Sequence, residues 1–275
     1  MPSTRPVELR AEIGLRCWSG TGDLMPQSHR HNDLEINLVE RGQFIYLFGG
    51  KRIYIEAGQI ALFWAAMPHQ LIEIAPETYA HWLTLPLAWF LQRGFAAHLI
   101  QPLLEGVPQI SDARPNDIAA LAQWREDLSL PSDDRHAVVY LEMEARLRRW
   151  EWSIQERKRT PKRSVSHKHP NDKVESMADW IAHHCTEPIT VAQVARVVNL
   201  HPNYAMNLFR RTFGVSMIDY VTQHRVALAQ QLLVTTDHDV LSVALQSGFG
   251  SSSQFYTAFK RLCGRAPRAY RASLR

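Results

Sequence analysis

The chain has 275 residues, 45% of them hydrophobic, which is long enough for two modest domains with buried cores. It holds no apolar run of about 18 residues and no apolar segment near residue 1, so neither a membrane-spanning helix nor a signal peptide is expected. Three widely spaced cysteines (Cys17, Cys185 and Cys263) form no CxxC pair and no disulfide framework, which predicts a cytoplasmic protein.

The net charge of +4 is unevenly distributed along the chain. Residues 1–145 carry 11 basic and 18 acidic side chains, residues 146–170 carry 9 and 2, and residues 171–275 carry 11 and 7. An acidic front and a basic rear indicate a polyanionic partner for the rear, although a basic run can also be a solvated linker.

Residues 28–85 have the pattern of short β-strands. The runs 36–39, 44–48, 53–55 and 60–64 are rich in β-branched, aromatic and aliphatic residues, and Gly49, Gly50 and Gly58 provide turn signals between them. Closely spaced strands of this kind predict a small barrel or a double-sheet jelly roll.

The period of the hydrophobic pattern changes to that of helices after residue 116. One helix is predicted over Asp117 to Leu128, and Tyr140, Met143, Leu147 and Trp150 form one stripe of another. That stripe either packs on its own domain or forms a dimer interface. Residues 155–170 are basic, contain two prolines and have almost no apolar side chains, which predicts a linker.

A supersecondary unit occurs twice in the C-terminal third. In the second copy each matching residue lies 49 or 50 positions later: the residues Val191, Val194, Ala195, Asn199, Leu200, Phe209, Arg210, Arg211, Gly214 and Tyr220 correspond to Val240, Val243, Ala244, Gly248, Phe249, Phe259, Lys260, Arg261, Gly264 and Tyr270.

The repeated residue types predict two helix-turn-helix units. Ala195 and Ala244 are small where a second helix crosses the first, and Asn199 and Gly248 tolerate a left-handed turn four residues later. The apolar residue that follows each turn closes the elbow. Pro202 and a serine at 251 or 252 suit the start of each second helix, and Gly214 and Gly264 suit its end.

The second helix of each unit has one apolar face and one face of short or polar side chains. The apolar faces are Ala205, Leu208, Phe209 and Thr212 in one unit and Phe255, Ala258, Phe259 and Leu262 in the other. The polar faces predict contacts with bases through Asn203, Met206, Asn207, Ser252, Ser253, Tyr256 and Thr257, and with phosphates through Arg210 and Lys260.

An uninterrupted helix is predicted between the two units, over Ser216 to Leu233. Its length of about 27 Å, at about 1.5 Å per residue, would allow the units to reach successive major grooves about 34 Å apart.

The second unit and the residues after it contain a characteristic set of residue types: Ala244, Gly248, Phe249, Ser252 or Ser253, Phe255, Phe259, Lys260, Gly264, Pro267, Tyr270 and Arg271. This set resembles the hallmark residues of the AraC/XylS regulators. The resemblance implies an α+β multidomain protein, with a cupin-like β-barrel and dimerisation helices over residues 1–154 and an all-α DNA-binding domain over 171–275. It also implies a homodimeric, sugar-responsive activator that works with RNA polymerase on a carbohydrate catabolic or transport operon.

Within such a barrel, the spacing His29-x-His31-x3-Glu35-x6-Gly42 fits a first cupin motif, and His69 stands where the second motif places a histidine. We expect His29, His31, Glu35, Trp64 and His69 to line an effector pocket, with no metal or other cofactor. Metal coordination by the histidines and Glu35 is the alternative, and residues without a role are a third. Trp64, Trp82 and Trp89 suit either stacking on a sugar or the core.

No catalytic motif is present: the chain has no GxSxG elbow, Walker loop or GxGxxG. We therefore expect a regulator that is not an enzyme. Two alternatives stay open, a metal-dependent cupin enzyme fused to a DNA-binding tail and a repair protein with a reactive cysteine; Cys17 lacks a neighbouring base signature for the latter.

Overall fold

The computed structural model describes residues 13–159 and 173–274. The first part is built from β1 (Arg16–Gly20), β2 (Asp33–Arg41), β3 (Gln43–Phe48), β4 (Lys51–Glu56), β5 (Gln59–Trp64), β6 (His69–Ile74), β7 (Tyr79–Pro86), α1 (Leu87–Gln92), α2 (Ala97–Leu104), β8 (Gln109–Asp112), α3 (Asp117–Ser129) and α4 (Asp133–Arg159). The strands form a five-stranded sheet in the order β1-β7-β2-β5-β8 and a three-stranded sheet in the order β4-β3-β6. This arrangement confirms the predicted double-sheet domain.

The two sheets bury an aromatic core between them. Phe44 and Tyr46 from the three-stranded sheet pack with Phe63, Ala80 and Trp82 from the five-stranded sheet. All the described strand pairs are antiparallel, and side chains therefore alternate between this core and the outer face of each sheet.

The β3–β4 hairpin has the turn that its sequence predicts. Gly49 and Gly50 have φ angles of 55° and 93°, as a type I′ turn requires at both central positions. Strand pairing begins directly beside the turn, between Phe48 and Lys51.

Helices cover the outer face of the five-stranded sheet. The stripe of α4 that contains Met143, Leu147 and Trp150 is buried in this layer, so it packs on its own domain. Helix α4 also continues to Arg159, five residues into the predicted linker, and the rest of that linker, 160–170, lies outside the described residues.

The C-terminal part is helical, as predicted. It contains α5 (Lys173–His184), α6 (Val191–Val197), α7 (Pro202–Phe213), α8 (Met217–Thr235), α9 (Val240–Gln246), α10 (Ser252–Cys263) and α11 (Pro267–Ala272). One end of α8, with Met217 and Tyr220, packs among α5, α6 and α7, and its other end, with Val226 and Leu233, packs with α9, α10 and α11. No helix in the described parts of the chain has both the length and the apolar character needed to cross a membrane.

Candidate nucleic-acid interface and ligand pocket

The first helix-turn-helix unit consists of α6 and α7. Thr190 begins α6 with a reciprocal capping box to Gln193, and the small side chain of Ala195 is buried at the crossing. Asn199 has φ = 54°, the left-handed conformation predicted for the turn. His201 then caps α7, whose first residue is Pro202.

The second unit, α9 and α10, repeats this design with different residues. Asp239 caps α9, Ser251 caps α10, and Phe249 is buried after the turn. Gly248 has φ = 86°, and a Cβ atom at this position would lie 2.6 Å from the Cα atom of Thr186. Glycine is therefore required here both by backbone conformation and by the close approach of a neighbouring loop.

The predicted DNA-contacting faces of α7 and α10 are exposed. All nine residues assigned to bases or phosphates are accessible to solvent: Asn203, Met206, Asn207, Arg210, Ser252, Ser253, Tyr256, Thr257 and Lys260. The opposite faces are held inside by Ala205, Phe209, Phe255 and Phe259, as their spacing predicts. Both second helices end at a glycine, Gly214 or Gly264, with φ = 71°.

The sequence interpretation omitted one exposed aromatic residue of α7. Tyr204 is 58% exposed and adjoins Asn203, at the beginning of the helix. The sequence could have indicated Tyr204 as a base-contacting residue, because it follows Asn203 at the N-terminal end of α7 and the N-terminal residues of a recognition helix contact base edges. The exposed cations Arg211 and Arg261 also extend the basic ends of the two helices.

A separate cavity of about 670 Å³ opens in the β domain. Its lining includes His29, His31 and Glu35 together with aromatic and apolar side chains: Trp18, Met25, Tyr46, Leu71 and Trp82. A volume of this size suits a small ligand, and the mixture of apolar walls and a few convergent polar groups is typical of ligand pockets.

Two of the tryptophans singled out in the sequence lie away from this cavity. Trp64 is fully buried on the outer face of β5, among the residues that pack against the helices, because it alternates with Phe63. Its assignment to the effector pocket is therefore corrected. Trp89 stacks on Tyr140 of α4, with ring centroids 5.0 Å apart, whereas Trp82 does line the cavity.

The other four predicted pocket residues form one compact cluster. His29, His31 and Glu35 line the cavity, whereas His69 is completely buried beside them, so its assignment to the cavity lining is corrected. The Nε2 atom of His31 lies 2.6 Å from Oε1 of Glu35, and Nε2 of His69 lies 3.5 Å from the same oxygen. The rings of His29 and His69 are 4.3 Å apart and meet edge to face. We refer to His29, His31, Glu35 and His69 as the histidine cluster.

Burial and neighbouring charges act in opposite directions on the titration of the cluster. Burial and the adjacent His69 lower the pKa of His29 to about 3. Burial acts to lower the pKa of His31, but hydrogen bonds to Asp33 and Glu35 and the charges of both carboxylates raise it to about 9. Burial acts to raise the pKa of Glu35, whereas its contacts with His31 and His69 hold it well below the ordinary value.

Residues 26–32, which we call the interdomain segment, lie between the cavity and the helical domain. The amide of Ser28 donates to the carbonyl oxygen of Phe213 at the end of α7 (2.9 Å). Arg30 donates to the carbonyl oxygen of Gln223 (3.2 Å) and to the side chain of Gln230, both on α8. The next polar side chain, Asn32, accepts from Gln230 at 3.0 Å and from the hydroxyl of Tyr270. The segment therefore contacts α7, α8 and α11.

A second contact between the domains involves the β3–β4 hairpin and α5. A Cβ atom on Gly50 would lie 2.8 Å from the backbone of Ala178, so the turn touches the helix directly. On either side of this contact Lys51 pairs with Asp179 at 3.3 Å, and Arg52 pairs with Glu175.

Comparisons with known proteins agree with both halves of the molecule. A family model described as an AraC-like ligand binding domain matches residues 15–132, and one described as a helix-turn-helix domain matches residues 194–273. The melibiose operon regulatory protein of Escherichia coli (strain K12) is 31% identical over 258 residues, which cover 90% of this chain and 84% of the relative. The chain belongs to the AraC family of transcription regulators.

Two solved structures have partial similarity to the chain. Apo ToxT from Vibrio cholerae strain SCE256, in a variant with one lysine replaced by alanine, is 15% identical, with a TM-score of 0.41 and coverage of 96% of this chain and 95% of ToxT. The C-terminal domain of AraT from Geobacillus stearothermophilus is 28% identical, with a TM-score of 0.36 and coverage of 39% of this chain and 88% of that domain.

AraC-family membership confirms the predicted DNA-binding transcription regulator with a ligand-binding domain. The family consists of regulators rather than enzymes, which bears out the prediction that the chain is not an enzyme. Segments 61–71 and 201–211 resemble the melibiose-operon regulators in particular, and the relative from Escherichia coli confirms that similarity.

Proposed function

We propose that this AraC-family regulator activates a carbohydrate catabolic or transport operon when a small sugar occupies the cavity of its β domain. In this proposal residues 1–154 bind the effector, residues 155–170 link the domains, and residues 171–275 bind promoter DNA in the cytoplasm beside RNA polymerase. The similarity to a melibiose operon regulator supports the sugar. Trp18, which is 40% exposed and stacks on Trp82 in the cavity lining with ring centroids 6.1 Å apart, offers an apolar ring surface to it.

The main support for this proposal is that the interdomain segment contacts both the cavity and the DNA-binding domain. His29 and His31 line the cavity, while Arg30 and Asn32 contact α8 and α11 of the DNA-binding domain. A ligand that moves the segment therefore changes contacts on both sides of it. By linkage, a sugar that tightens DNA binding by a given factor must itself be bound more tightly by that factor in the DNA complex.

We further propose that α4 forms a homodimer interface with the face opposite to its buried stripe. Leu141 and Trp152 are 67% and 60% exposed there, and Val138 is exposed on the same side. Their spacing of three, eleven and fourteen residues keeps them on one side of a helix, as in a coiled-coil seam.

The effect of sugar on DNA affinity tests the proposed function. DNA sites selected by the full-length protein from a random pool would be titrated by fluorescence anisotropy with and without melibiose and a panel of other sugars. We expect one sugar to raise the affinity at least fivefold, and Trp18→Ala to abolish that increase. Trp89→Ala, which alters a tryptophan outside the cavity, should leave it intact. An affinity that no sugar changes would refute effector sensing but not DNA binding.

The dimer is tested independently by sedimentation. Leu141→Glu places a charge in the proposed seam and should shift the protein to monomer. Val107→Glu, at another exposed apolar position after α2, should leave the oligomeric state unchanged. Equal sedimentation of both variants and the parent protein would rule out this face as the interface.

A further inference from the structure

We propose that the histidine cluster binds one divalent transition metal ion, such as Zn²⁺, Fe²⁺, Mn²⁺ or Ni²⁺. The possible ligand atoms of His29, His31, Glu35 and His69 all lie within 4.8 Å of one another. Neighbouring ligands around such an ion, with metal–nitrogen bonds of about 2.0–2.1 Å, are roughly 3.3 Å apart in a tetrahedral site. Shifts of the side chains by about 1 Å would therefore complete the coordination. The proposal does not depend on a sugar being the effector.

The backbone fixes the positions of all four ligands. The amides and carbonyls of His29 and His69 exchange two hydrogen bonds, of 2.9 Å and 3.0 Å, which holds the two rings side by side. Near the start of β2, His31, Asp33 and Glu35 alternate along the chain, and the His31 side chain contacts both carboxylates. The cluster thus lies where the interdomain segment joins the two sheets.

The second nitrogen of two rings is already bonded in the way that metal-ligating histidines require. His31 donates from Nδ1 to the Asp33 carboxylate at 3.0 Å, and His69 donates from Nδ1 to the carbonyl oxygen of Met67 at 3.0 Å. Each ring therefore directs Nε2 toward Glu35. A histidine that binds a metal commonly donates its other N–H to a carboxylate or a backbone carbonyl, which orients the ring and makes the ligating nitrogen more basic.

The surroundings of one ring nitrogen give further support. His69 is completely buried, and its Nε2 atom lies 3.5 Å from Oε1 of Glu35 without completing a hydrogen bond there. Buried polar atoms are almost always paired, so a ring nitrogen aimed at a carboxylate and two other imidazoles indicates a ligand between them. Three imidazoles with one carboxylate form a donor set suited to these metals.

The cavity gives such an ion an open side. His29, His31 and Glu35 line the cavity, so a bound ion would be accessible to a ligand that enters it. An oxygen-bearing effector could then coordinate the ion directly. The ion would also fix His29 and His31 on either side of Arg30, whose guanidinium contacts α8.

Metal analysis of the full-length protein tests this inference without DNA or sugar. The protein would be stripped with a chelator and titrated with Zn²⁺, and with Co²⁺ as a spectroscopic probe, followed by dialysis and elemental analysis. We expect one ion per chain and a visible Co²⁺ spectrum, with binding weakened at least tenfold in His69→Gln and Glu35→Gln. His81→Gln changes a buried histidine of the same domain, paired with Ser19 and Glu40, and should bind the ion as the parent does.

If substitution of a ligand prevents folding, a variant that keeps all four ligands can still test the proposal. Asp33→Asn leaves all four ligands in place but removes the carboxylate that orients His31, so binding should weaken tenfold to a hundredfold. A metal content below about 0.2 ion per parent chain after titration would overturn the proposal. Equal binding by His69→Gln and His81→Gln would overturn it as well. A protein that responds to sugar yet binds no metal would refute the metal site alone.

Discussion

Alanine substitutions on the recognition helices should separate base contacts from phosphate contacts. Asn207 and Thr257 occupy exposed positions on α7 and α10, and Arg210 and Lys260 lie one turn further toward the basic end of each helix. Amide and hydroxyl groups can read base edges, whereas the cations carry the charge that attracts phosphate. All four side chains are exposed, so their truncation should leave the helix cores intact.

The two kinds of substitution should change different measured quantities: the affinity for the specific site and the salt dependence of binding. Loss of a base contact costs about 1–3 kcal/mol, which is roughly 5-fold to 150-fold in affinity for the specific site and little for random DNA. Loss of one phosphate contact lowers the slope of log affinity against log salt by about 0.9. Between 50 mM and 200 mM salt, that slope change makes a difference of about 3.5-fold, and it applies to specific and random DNA alike.

Salt titrations of binding to a selected site and to a random duplex measure both effects. Asn207→Ala and Thr257→Ala should weaken the selected site and keep the salt slope of the parent. Arg210→Ala and Lys260→Ala should weaken both duplexes and reduce the slope. Uniform losses for all four variants on both duplexes would refute the assignment of roles to these side chains.

Three further predictions concern packing, domain contact and thiol reactivity. Gly248→Ala should lower the free energy of unfolding, measured in urea, by about 2–4 kcal/mol because of the clash with Thr186 and the positive φ. Gly58→Ala is the control: a Cβ atom there has open space around it, so the free energy of unfolding should fall less. Tyr270→Phe removes the hydroxyl between Asn32 and Gln230 and should lower the free energy of unfolding by about 1–3 kcal/mol in the same assay. If the losses of Tyr270→Phe and Asn32→Ala simply add in the double variant, the side chains of Tyr270 and Asn32 do not interact. Burial raises the pKa of Cys17 to about 12, so at pH 8 only about 1 in 10⁴ thiols is ionised; iodoacetamide should label the unfolded chain far faster than the native one, and equal rates would contradict the assigned burial.

The helix-turn-helix units could be predicted in detail because their determinants are local. The turn needs a residue that tolerates positive φ, the crossing needs a small side chain, and each second helix needs a cap and a terminating glycine. Asn199, Ala195 and Gly214 meet these needs within 20 residues of sequence, and the structure places each as predicted. The repetition at a fixed offset removed most of the remaining ambiguity.

The ligand pocket was predicted only in part because strand alternation shows which residues share a face but not which face is inside. Trp64 and Trp82 are both aromatic residues on strands of the same sheet, yet the first packs against helices and the second lines the cavity. A run such as 60–64 is apolar on both faces, so its sequence does not indicate which face points toward the cavity. The four residues of the histidine cluster could be predicted because His29, His31, Glu35 and Gly42 have the spacing of a first cupin motif and His69 stands where the second motif places a histidine.

The interdomain contacts have no local signature at all. Arg30 and Gln230 are 200 positions apart, and both belong to residue types that are ordinarily exposed. Their burial makes sense only as a network: Gln230 contacts Arg30, Asn32 and Tyr270 at once, and each partner satisfies a group that would otherwise be unpaired. Helix α8, predicted as a connecting rod between DNA-binding units, therefore also contacts the ligand-binding domain.

This geometry limits how an effector can influence DNA binding. A ligand can shift a conformational equilibrium only by the difference between its affinities for the two conformations. The interdomain segment is bonded to the end of α7 through Ser28, to α8 through Arg30 and to α11 through Asn32. The segment therefore contacts the first helix-turn-helix unit directly at α7, and it reaches the second through α8 and α11, which pack against α9 and α10. A shift of the segment would consequently alter the position of both units relative to the β domain, and the change in DNA affinity would depend on the DNA contacts of both units.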